Sequence, residues 1–328
     1  MFDIDDIYND ALISSNILVV GDIICDNYIF GKTERLSPEA PVPIFKPWKE
    51  ELRLGGAANV FNNIISLGAK AQLCGIIGND KEGVNINSKI INLNNSPDLI
   101  AVSDERPTTK KTRLLVGNHH LLRIDEETTS EINEEIEIKA FENINRRVDA
   151  YDLLVISDYN KGFLKHSFIR KVIELFIERD KKIIVDPKSD FYKYSGAFMI
   201  KPNINELSKF VDDKDVLNNH DSLICHCKTL LKKGDLKYIY VTLGEKGGVL
   251  IGKEDGDQIV PALGGEAVDI TGAGDATLAA IATAIAAKVD IKKAVNFASC
   301  VAGISVSKAG TTMVTKSEVI SFIHDRTI

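Results

Sequence analysis

The run Asp269-Ile270-Thr271-Gly272-Ala273-Gly274-Asp275-Ala276-Thr277 sets two glycines and a carboxylate at the head of a long apolar stretch. Glycine at 272 and 274 lets the backbone turn its N–H groups toward a ligand at close range. A helix beginning directly afterwards puts those groups at the positive end of its dipole, which favours an anion. A phosphoryl group in transfer spreads its charge over equatorial oxygens and needs such stabilisation. Asp275, in the first helical turn beside that anion hole, is positioned to take a proton from an attacking hydroxyl. The competing account is a plain strand-to-helix turn in which Asp275 only starts the helix. The spacing is not a dinucleotide fingerprint, because Thr277 stands where the last glycine of G-x-G-x-x-G belongs. Gly31-Lys32-Thr33 is no P-loop either, since Asp26 occupies the place of its first glycine.

Other runs carry weaker signals. Gly55-Gly56-Ala57-Ala58-Asn59 opens a helix, and its Gly pair suits a hinge with Asn59 reaching a ligand from the first turn. Asn203 and Glu206, three apart, share a helix face and suit Mg²⁺ held through water. The same pair also reads as a capping box. Thr242-Leu243-Gly244-Glu245-Lys246-Gly247-Gly248 suits a tight turn under a nucleotide, and Asp186-Pro187-Lys188 offers a cation to phosphate. Cys225-His226-Cys227 has the wrong spacing for a zinc knuckle and no second pair, so it is read as part of a helix.

These runs need a scaffold, and the apolar pattern supplies one. Strand-like runs at 17–20, 71–77, 153–157, 182–185, 198–201 and 238–242 alternate with helical periodicity at 57–67, 168–177 and 222–231. Fully apolar strands between amphipathic helices indicate a parallel sheet covered on both faces, so the fold class is α/β. Residues 272–287 and 291–306 read as helices buried against that sheet. Two segments break the rhythm. Residues 27–54 hold Pro38, Pro41, Pro43 and Pro47, which oppose a helix, and residues 106–125 read as two extended runs about a Gly117-Asn118 turn. Both are expected outside the main sheet, as a small lid over the carboxyl ends of its strands, where α/β ligands bind.

Composition narrows the function classes. With 328 residues, 44% apolar and 27% charged, the chain is of ordinary globular type. A formal charge of -7 gives no reason to bind nucleic acid or an anionic membrane. Five scattered cysteines imply no disulfide framework, and the acidic N-terminus lacks signal-peptide features. A cytoplasmic location is expected.

Taken in order, Gly-Gly-x-x-Asn at 55–59, Asn-x-x-Glu at 203–206 and Gly-Ala-Gly-Asp at 272–275 resemble the ribokinase-like (PfkB) carbohydrate kinases over nearly the whole chain. The resemblance implies a single ribokinase-like domain over 1–328, a parallel-sheet sandwich with a β lid, using ATP, Mg²⁺ and in many members K⁺. It implies Asp275 as the base, with Gly272, Ala273 and Gly274 as the anion hole. Asp26, Gly55, Gly56 and Asn59 would face the sugar. Lys188, Asn203, Glu206, Thr242, Gly244, Gly247 and Asn296 would face the nucleotide and Mg²⁺. Asp269 and Thr271, with carbonyls within 305–310, would hold the monovalent cation.

A narrower likeness is to the subgroup of kinases acting on D-glycero-D-manno-heptose 7-phosphate. It rests on Gly21-Asp22, Tyr28, Gly31, the run Arg35-Leu36-Ser37-Pro38-Glu39-Ala40-Pro41-Val42-Pro43, Leu122-Arg123-Ile124-Asp125, Ser157-Asp158-Tyr159-Asn160-Lys161-Gly162, Val185-Asp186-Pro187-Lys188 and Lys308-Ala309-Gly310-Thr311. It implies phosphorylation of the anomeric hydroxyl to heptose 1,7-bisphosphate, for ADP-heptose and lipopolysaccharide core synthesis. Lys110, Lys111, Arg113 and Arg123 are the candidate cations for the sugar phosphate, with solvated lid charges as the alternative. A homodimer through the β lid is expected. Many relatives carry a C-terminal nucleotidyltransferase domain; none is expected within 1–328. Ala276-Thr277 after the base and His119-His120 in the lid depart from the pattern. Alternatives are a kinase for another sugar, of fructose or ribose type, and a non-catalytic sugar or nucleotide sensor on the same fold.

Overall fold

The computed structural model describes residues 3–325 except 94, 118, 189, 212–218 and 266; Asn118 of the expected turn therefore lies outside the described residues. The chain opens with two short helices, α1 (Ile4–Ile7) and α2 (Asp10–Ser14), before β1 (Asn16–Gly21) enters the core. It then leaves for β2 (Ile23–Leu36) and β3 (Pro43–Gly56) and returns through α3 (Ala57–Ser66), β4 (Lys70–Gly78), α4 (Lys81–Asn92) and β5 (Ile100–Ser103). A second excursion forms β6 (Thr109–Val116) and β7 (His119–Glu126). The middle follows as α5 (Glu134–Asn145), β8 (Leu153–Ser157), α6 (His166–Ile177), β9 (Lys182–Asp186) and β10 (Met199–Ile200). Beyond it come α7 (Ile204–Val211), α8 (His220–Lys233), β11 (Tyr238–Thr242), β12 (Gly248–Gly252) and β13 (Asp257–Val260). The last helices are α9 (Ala273–Ala286), α10 (Ile291–Val306) and α11 (Lys316–His324).

Among the described residues, nine strands form one sheet in the order β13-β12-β11-β10-β9-β8-β1-β4-β5. Pairing is parallel from β11 to β5, and β12 and β13 add an antiparallel hairpin at one edge. The sequence pattern marks the parallel strands except the short edge strand β5, and it misses that hairpin, whose short runs lie between glycines. Alternation within β1 sends Ile17 and Val19 into the core under α3, α9 and α10, while Leu18 and Val20 enter the core under α5, α6 and α8. Burial on both faces is why these strands read as unbroken apolar runs.

The lid is a four-stranded sheet in the order β3-β2-β6-β7. Its first pair is longer than the expected 27–54, because β2 starts at Ile23, with only Asp22 between it and the end of β1 at Gly21. Pro43 and Pro47 sit in β3, an edge strand, where a missing N–H costs no ladder bond.

Gly303 of α10 packs on Leu263, whose carbonyl oxygen occupies the space a Cβ at 303 would need. The obstacle is backbone and has no rotamer to relax into. Gly303→Ala is expected to destabilise the fold by about 2 kcal/mol or more, measured by denaturant unfolding. A neutral result would mean that the 261–265 segment shifts freely.

Candidate functional site

The carboxyl ends of β1, β8, β9, β10 and β11 converge beneath the lid, the usual ligand position of an open α/β sheet. Into this end points the start of α9. Gly272 precedes it with φ +81, in the left-handed region, and no side chain caps the turn. A Cβ there would lie 3.1 Å from Asn59 Nδ2 and 3.2 Å from Thr311 Cγ2, so the tight approach of α3 and the 307–312 loop requires glycine. All residues of α9 from Asp275 to Ala286 are buried, and Asp275 is the charged member of an otherwise Ala-, Ile-, Leu- and Thr-lined helix.

Asp275 is 4% exposed. Its Oδ2 accepts from Asn59 Nδ2 at 2.8 Å and its Oδ1 from the Tyr159 hydroxyl at 2.6 Å. Burial raises its carboxyl from the ordinary 3.8 to about 6, against those hydrogen bonds and the nearby Lys201. Such a group is ionised at neutral pH yet basic enough to take a proton. Lys201, 3% exposed, pairs with Asp186 at 3.1 Å, and a Cβ on Gly274 would lie 3.7 Å from its Nζ. A buried ammonium therefore faces the same turn as the helix dipole. Burial pushes Asp186 up to about 7, with Lys201 opposing.

On the lid side of the cleft, Asp26 is buried and accepts from Arg113 Nη1 at 2.6 Å. Arg113 also lies over the Tyr28 ring, 5.2 Å from its centroid. The two-residue period of a strand puts Lys111 and Arg113 on this face, because they register with Asp26 and Tyr28. Lys111 reaches over the Tyr159 ring at 5.5 Å. Arg123 registers with Arg113 and is half-exposed, paired with Asp125 at 2.9 Å. Lys110 is not brought to the cleft. The same period sends it to the opposite face, where it bridges Glu82 at 2.9 Å and Glu126 at 3.2 Å.

Gly55 and Gly56 end β3 itself, and Asn59 spends its amide on Asp275 while its own Oδ1 accepts from Asn63 at 3.1 Å. The lid is latched to the far end of the chain. Arg53 Nη1 donates to the Ala309 carbonyl at 2.8 Å, and Thr311 N donates to the Tyr28 hydroxyl at 2.9 Å. Asp269 accepts from Thr271 N at 2.9 Å and from Gly310 N at 2.9 Å, drawing those two loops together; His120 of the lid stands 4.0 Å from it.

Just beyond β10, Asn203 and Glu206 form the capping box of α7: Asn203 N donates to Glu206 Oε2 at 3.0 Å, and Glu206 N to Asn203 Oδ1 at 2.9 Å. Lys188 Nζ meets Glu206 Oε1 at 3.0 Å, so both sequence readings of this pair describe one cluster. Thr242 bridges to Asn203, and Gly244 (φ +62) and Gly247 (φ +84) make the tight turn after β11. Asn296 sits on α10, accepting from Gln258 of β13 at 3.4 Å. Cys225 is exposed and Cys227 buried on α8, and no cluster of three or more metal-ligating side chains occurs among the described residues.

Sequence reasoning missed the roles open to Tyr159, Lys201 and Asn63. Tyr159 and Lys201 follow directly on the ends of strands that were recognised, and polar residues at carboxyl ends of buried parallel strands are the signal that could have found them.

The sequence profile described as "pfkB family carbohydrate kinase" matches residues 14–317. The chain belongs to the pfkB family. Members are phosphotransferases acting on a sugar hydroxyl. Among similar proteins, the "Bifunctional protein HldE" of Helicobacter hepaticus is 37% identical over 314 residues, 95% of this chain and 64% of that protein. The HldE of Nitratiruptor sp. is 38% identical, with 92% of this chain and 64% of that protein covered. The chain thus spans about 64% of the length of these curated relatives. Among solved structures, phosphofructokinase-2 from Escherichia coli in complex with potassium superposes with a TM-score of 0.78 at 18% identity, covering 96% of this chain and 99% of that one. Arabidopsis thaliana ribokinase complexed with ribose and ATP gives 0.74 at 17%, covering 94% and 98%. These two establish the ribokinase-like fold. No helix among the described residues is long and apolar enough to cross a membrane.

The Asp275 carboxyl has a stability consequence. Because its folded-state pKa is raised above its unfolded value, the folded state holds the extra proton and stability falls as pH rises from about 4 through about 6. Asp275→Asn is expected to melt higher than the wild type at pH 8, on the order of 5 °C, with the gap closing toward pH 4. A lower melt at pH 8 would show that Lys201 and the two hydrogen bonds outweigh desolvation.

Proposed function

We propose that this chain transfers the γ-phosphoryl group of ATP to the anomeric hydroxyl of D-glycero-D-manno-heptose 7-phosphate, giving heptose 1,7-bisphosphate and ADP. The observation that carries the kinase reading is a buried, hydrogen-bonded Asp275 in the first turn of α9, facing Lys201 across Gly274. In this reading Asp275 takes the proton of the anomeric hydroxyl as its oxygen bonds to the γ-phosphorus. The bond to the bridging oxygen breaks and ADP leaves. The N–H groups of the Gly272–Gly274 turn and the Lys201 ammonium hold the charge on the equatorial oxygens. The Asp26 carboxylate, steadied by Arg113, accepts hydrogen bonds from sugar hydroxyls.

The heptose assignment is supported by the Ser-Pro-Glu-Ala-Pro-Val-Pro run at 37–43 and by the 37% identity to an HldE protein over 95% of this chain. The phosphate on the substrate needs a cation. Arg113, Arg123, Lys110 and Lys161 each have a carboxylate within ion-pair distance. Lys111 has its charge over the Tyr159 ring, and burial lowers its pKa against the pull of Asp26, Asp125 and Glu127, so an arriving phosphate would stabilise a partly desolvated ammonium. Mg²⁺ fits the all-oxygen donors of Asn203 and Glu206, held through water, and would supply charge neutralisation on the nucleotide phosphates. A monovalent cation fits beside Asp269 and Thr271, where the Gly310 N–H ties the 305–310 carbonyls to the anion-hole loop. The product would feed later steps, adenylyl transfer among them, toward ADP-heptose and lipopolysaccharide core, in the cytoplasm.

We also propose a homodimer through the lid. Every residue of β7, an edge strand of the lid sheet, is exposed, and Leu122 and Ile124 on it are 53% and 46% exposed. Such an edge is a template for pairing with a second copy. Light scattering is expected to give twice the 36.1 kDa chain mass, falling to one chain in Leu122→Lys/Ile124→Lys.

The deciding assay is ADP release from Mg-ATP with heptose 7-phosphate, fructose 6-phosphate, fructose and ribose. Heptose-specific turnover is expected, reduced about 10³-fold in Asp275→Asn, and Lys111→Met should raise the KM for heptose 7-phosphate at least about tenfold. Turnover with another sugar alone discards heptose but keeps the base. ATP binding without turnover on any sugar favours a sensor.

A further inference from the structure

Tyr159 lies outside the three signature runs and outside the nucleotide cluster, yet its hydroxyl is the closest polar partner of the Asp275 carboxylate described above. The loop that carries it is unusually well secured. Asp22, 2% exposed, accepts from the N–H groups of Tyr159 at 2.9 Å and Lys161 at 3.1 Å, with Phe163 N at 3.4 Å. Asp158, also buried, accepts from Asn160 N at 2.7 Å, Lys193 Nζ at 2.8 Å and the Tyr194 hydroxyl at 2.8 Å. Asn160 turns the chain with φ +56, in the left-handed region that Asn tolerates better than most side-chain-bearing residues. Two buried carboxylates and a left-handed Asn160 thus fix this turn, and the group it delivers to the catalytic end is the Tyr159 hydroxyl.

That hydroxyl and the Asn59 amide divide the base between them, one oxygen each, and Asn63 orients the amide through Asn59 Oδ1. We infer that Tyr159 is a positioning residue: with Asn59 it clamps the Asp275 carboxylate from two sides, fixing its rotation and leaving one lone pair on each oxygen for the acceptor hydroxyl. The inference rests on the kinase reading for its consequences in turnover, but the clamp is a property of the folded chain. Burial and the neighbouring carboxylates hold the Tyr159 phenol well above its ordinary range, so it remains a donor throughout the working pH. A donor to the ionised form favours that form, hence the clamp also keeps Asp275 from becoming more basic than it is. The other charged groups facing Asp275 are Lys201, Asp26 and Asp186, and Lys111 faces the Tyr159 ring. None of them is altered by removing one hydroxyl.

The test is Tyr159→Phe, with Tyr240→Phe as the control for loss of a buried hydroxyl remote from the base. Asp275 is followed by its ¹³C-carboxyl resonance in aspartate-labelled protein, assigned by its disappearance in Asp275→Asn. In Tyr159→Phe the Asp275 titration is expected to move up by about one pH unit, with circular dichroism unchanged. Tyr240→Phe should leave it unmoved. The acid limb of kcat/KM should rise by the same amount, with kcat at pH 8 about tenfold lower and the KM for ATP unchanged. An Asp275 resonance that titrates at the wild-type pH in Tyr159→Phe overturns the clamp, whatever the rate does. A shifted resonance in a chain that turns over no sugar keeps the clamp and removes the kinase reading.

Discussion

A carboxylate has to remain both buried and ionisable at the head of α9, and the active end of the molecule is organised around that conflict. Water would solvate Asp275 but would also accept the phosphoryl group, so the charge must be sheltered. Sheltering it in an apolar helix that packs along its whole length raises its pKa, and left alone it would simply stay protonated. Three features hold it at an intermediate value: the Asn59 amide, the Tyr159 hydroxyl and the Lys201 ammonium. Each arrives from a different element, α3, the turn after β8 and the end of β10. The parallel sheet matters because it brings the ends of those elements to one edge.

Strand periodicity does comparable sorting in the lid. Consecutive residues Lys110 and Lys111 carry the same charge and nearly the same side chain, yet one is committed to Glu82 and Glu126 and the other looks into the cleft. Composition alone cannot separate them. The register of β6 against β2 does, since Lys111 stands opposite Asp26. A one-residue slip would exchange their roles and put Arg113 on the wrong side of Tyr28.

The same distinction explains what could be read from the residues in advance. The α/β class and the positions of β1, β4, β8, β9, β11, α3, α6 and α9 follow from runs of local pattern, as do the glycine turn before α9 and the two lid excursions. Local pattern is silent about partners that meet across the fold. Asn59 looks like a ligand-reaching side chain until its amide is found on Asp275, 216 positions away. Tyr159 and Lys201 stand in short polar runs whose chemistry depends on what faces them. The β12–β13 hairpin was missed for a different reason, because its two short strands lie among glycines and carry no helix between them.

The latch between Tyr28 and Thr311 joins residues separated by 283 positions. During synthesis the lid strands emerge early, but the loop that fastens them and the turn that would cradle phosphate come off the ribosome long after them. A chain made only as far as β11 can therefore build most of the parallel sheet while lacking the Gly272–Asp275 turn and the brace that seats the lid. The lid strands therefore stay unfastened until residues 309–311 have been made.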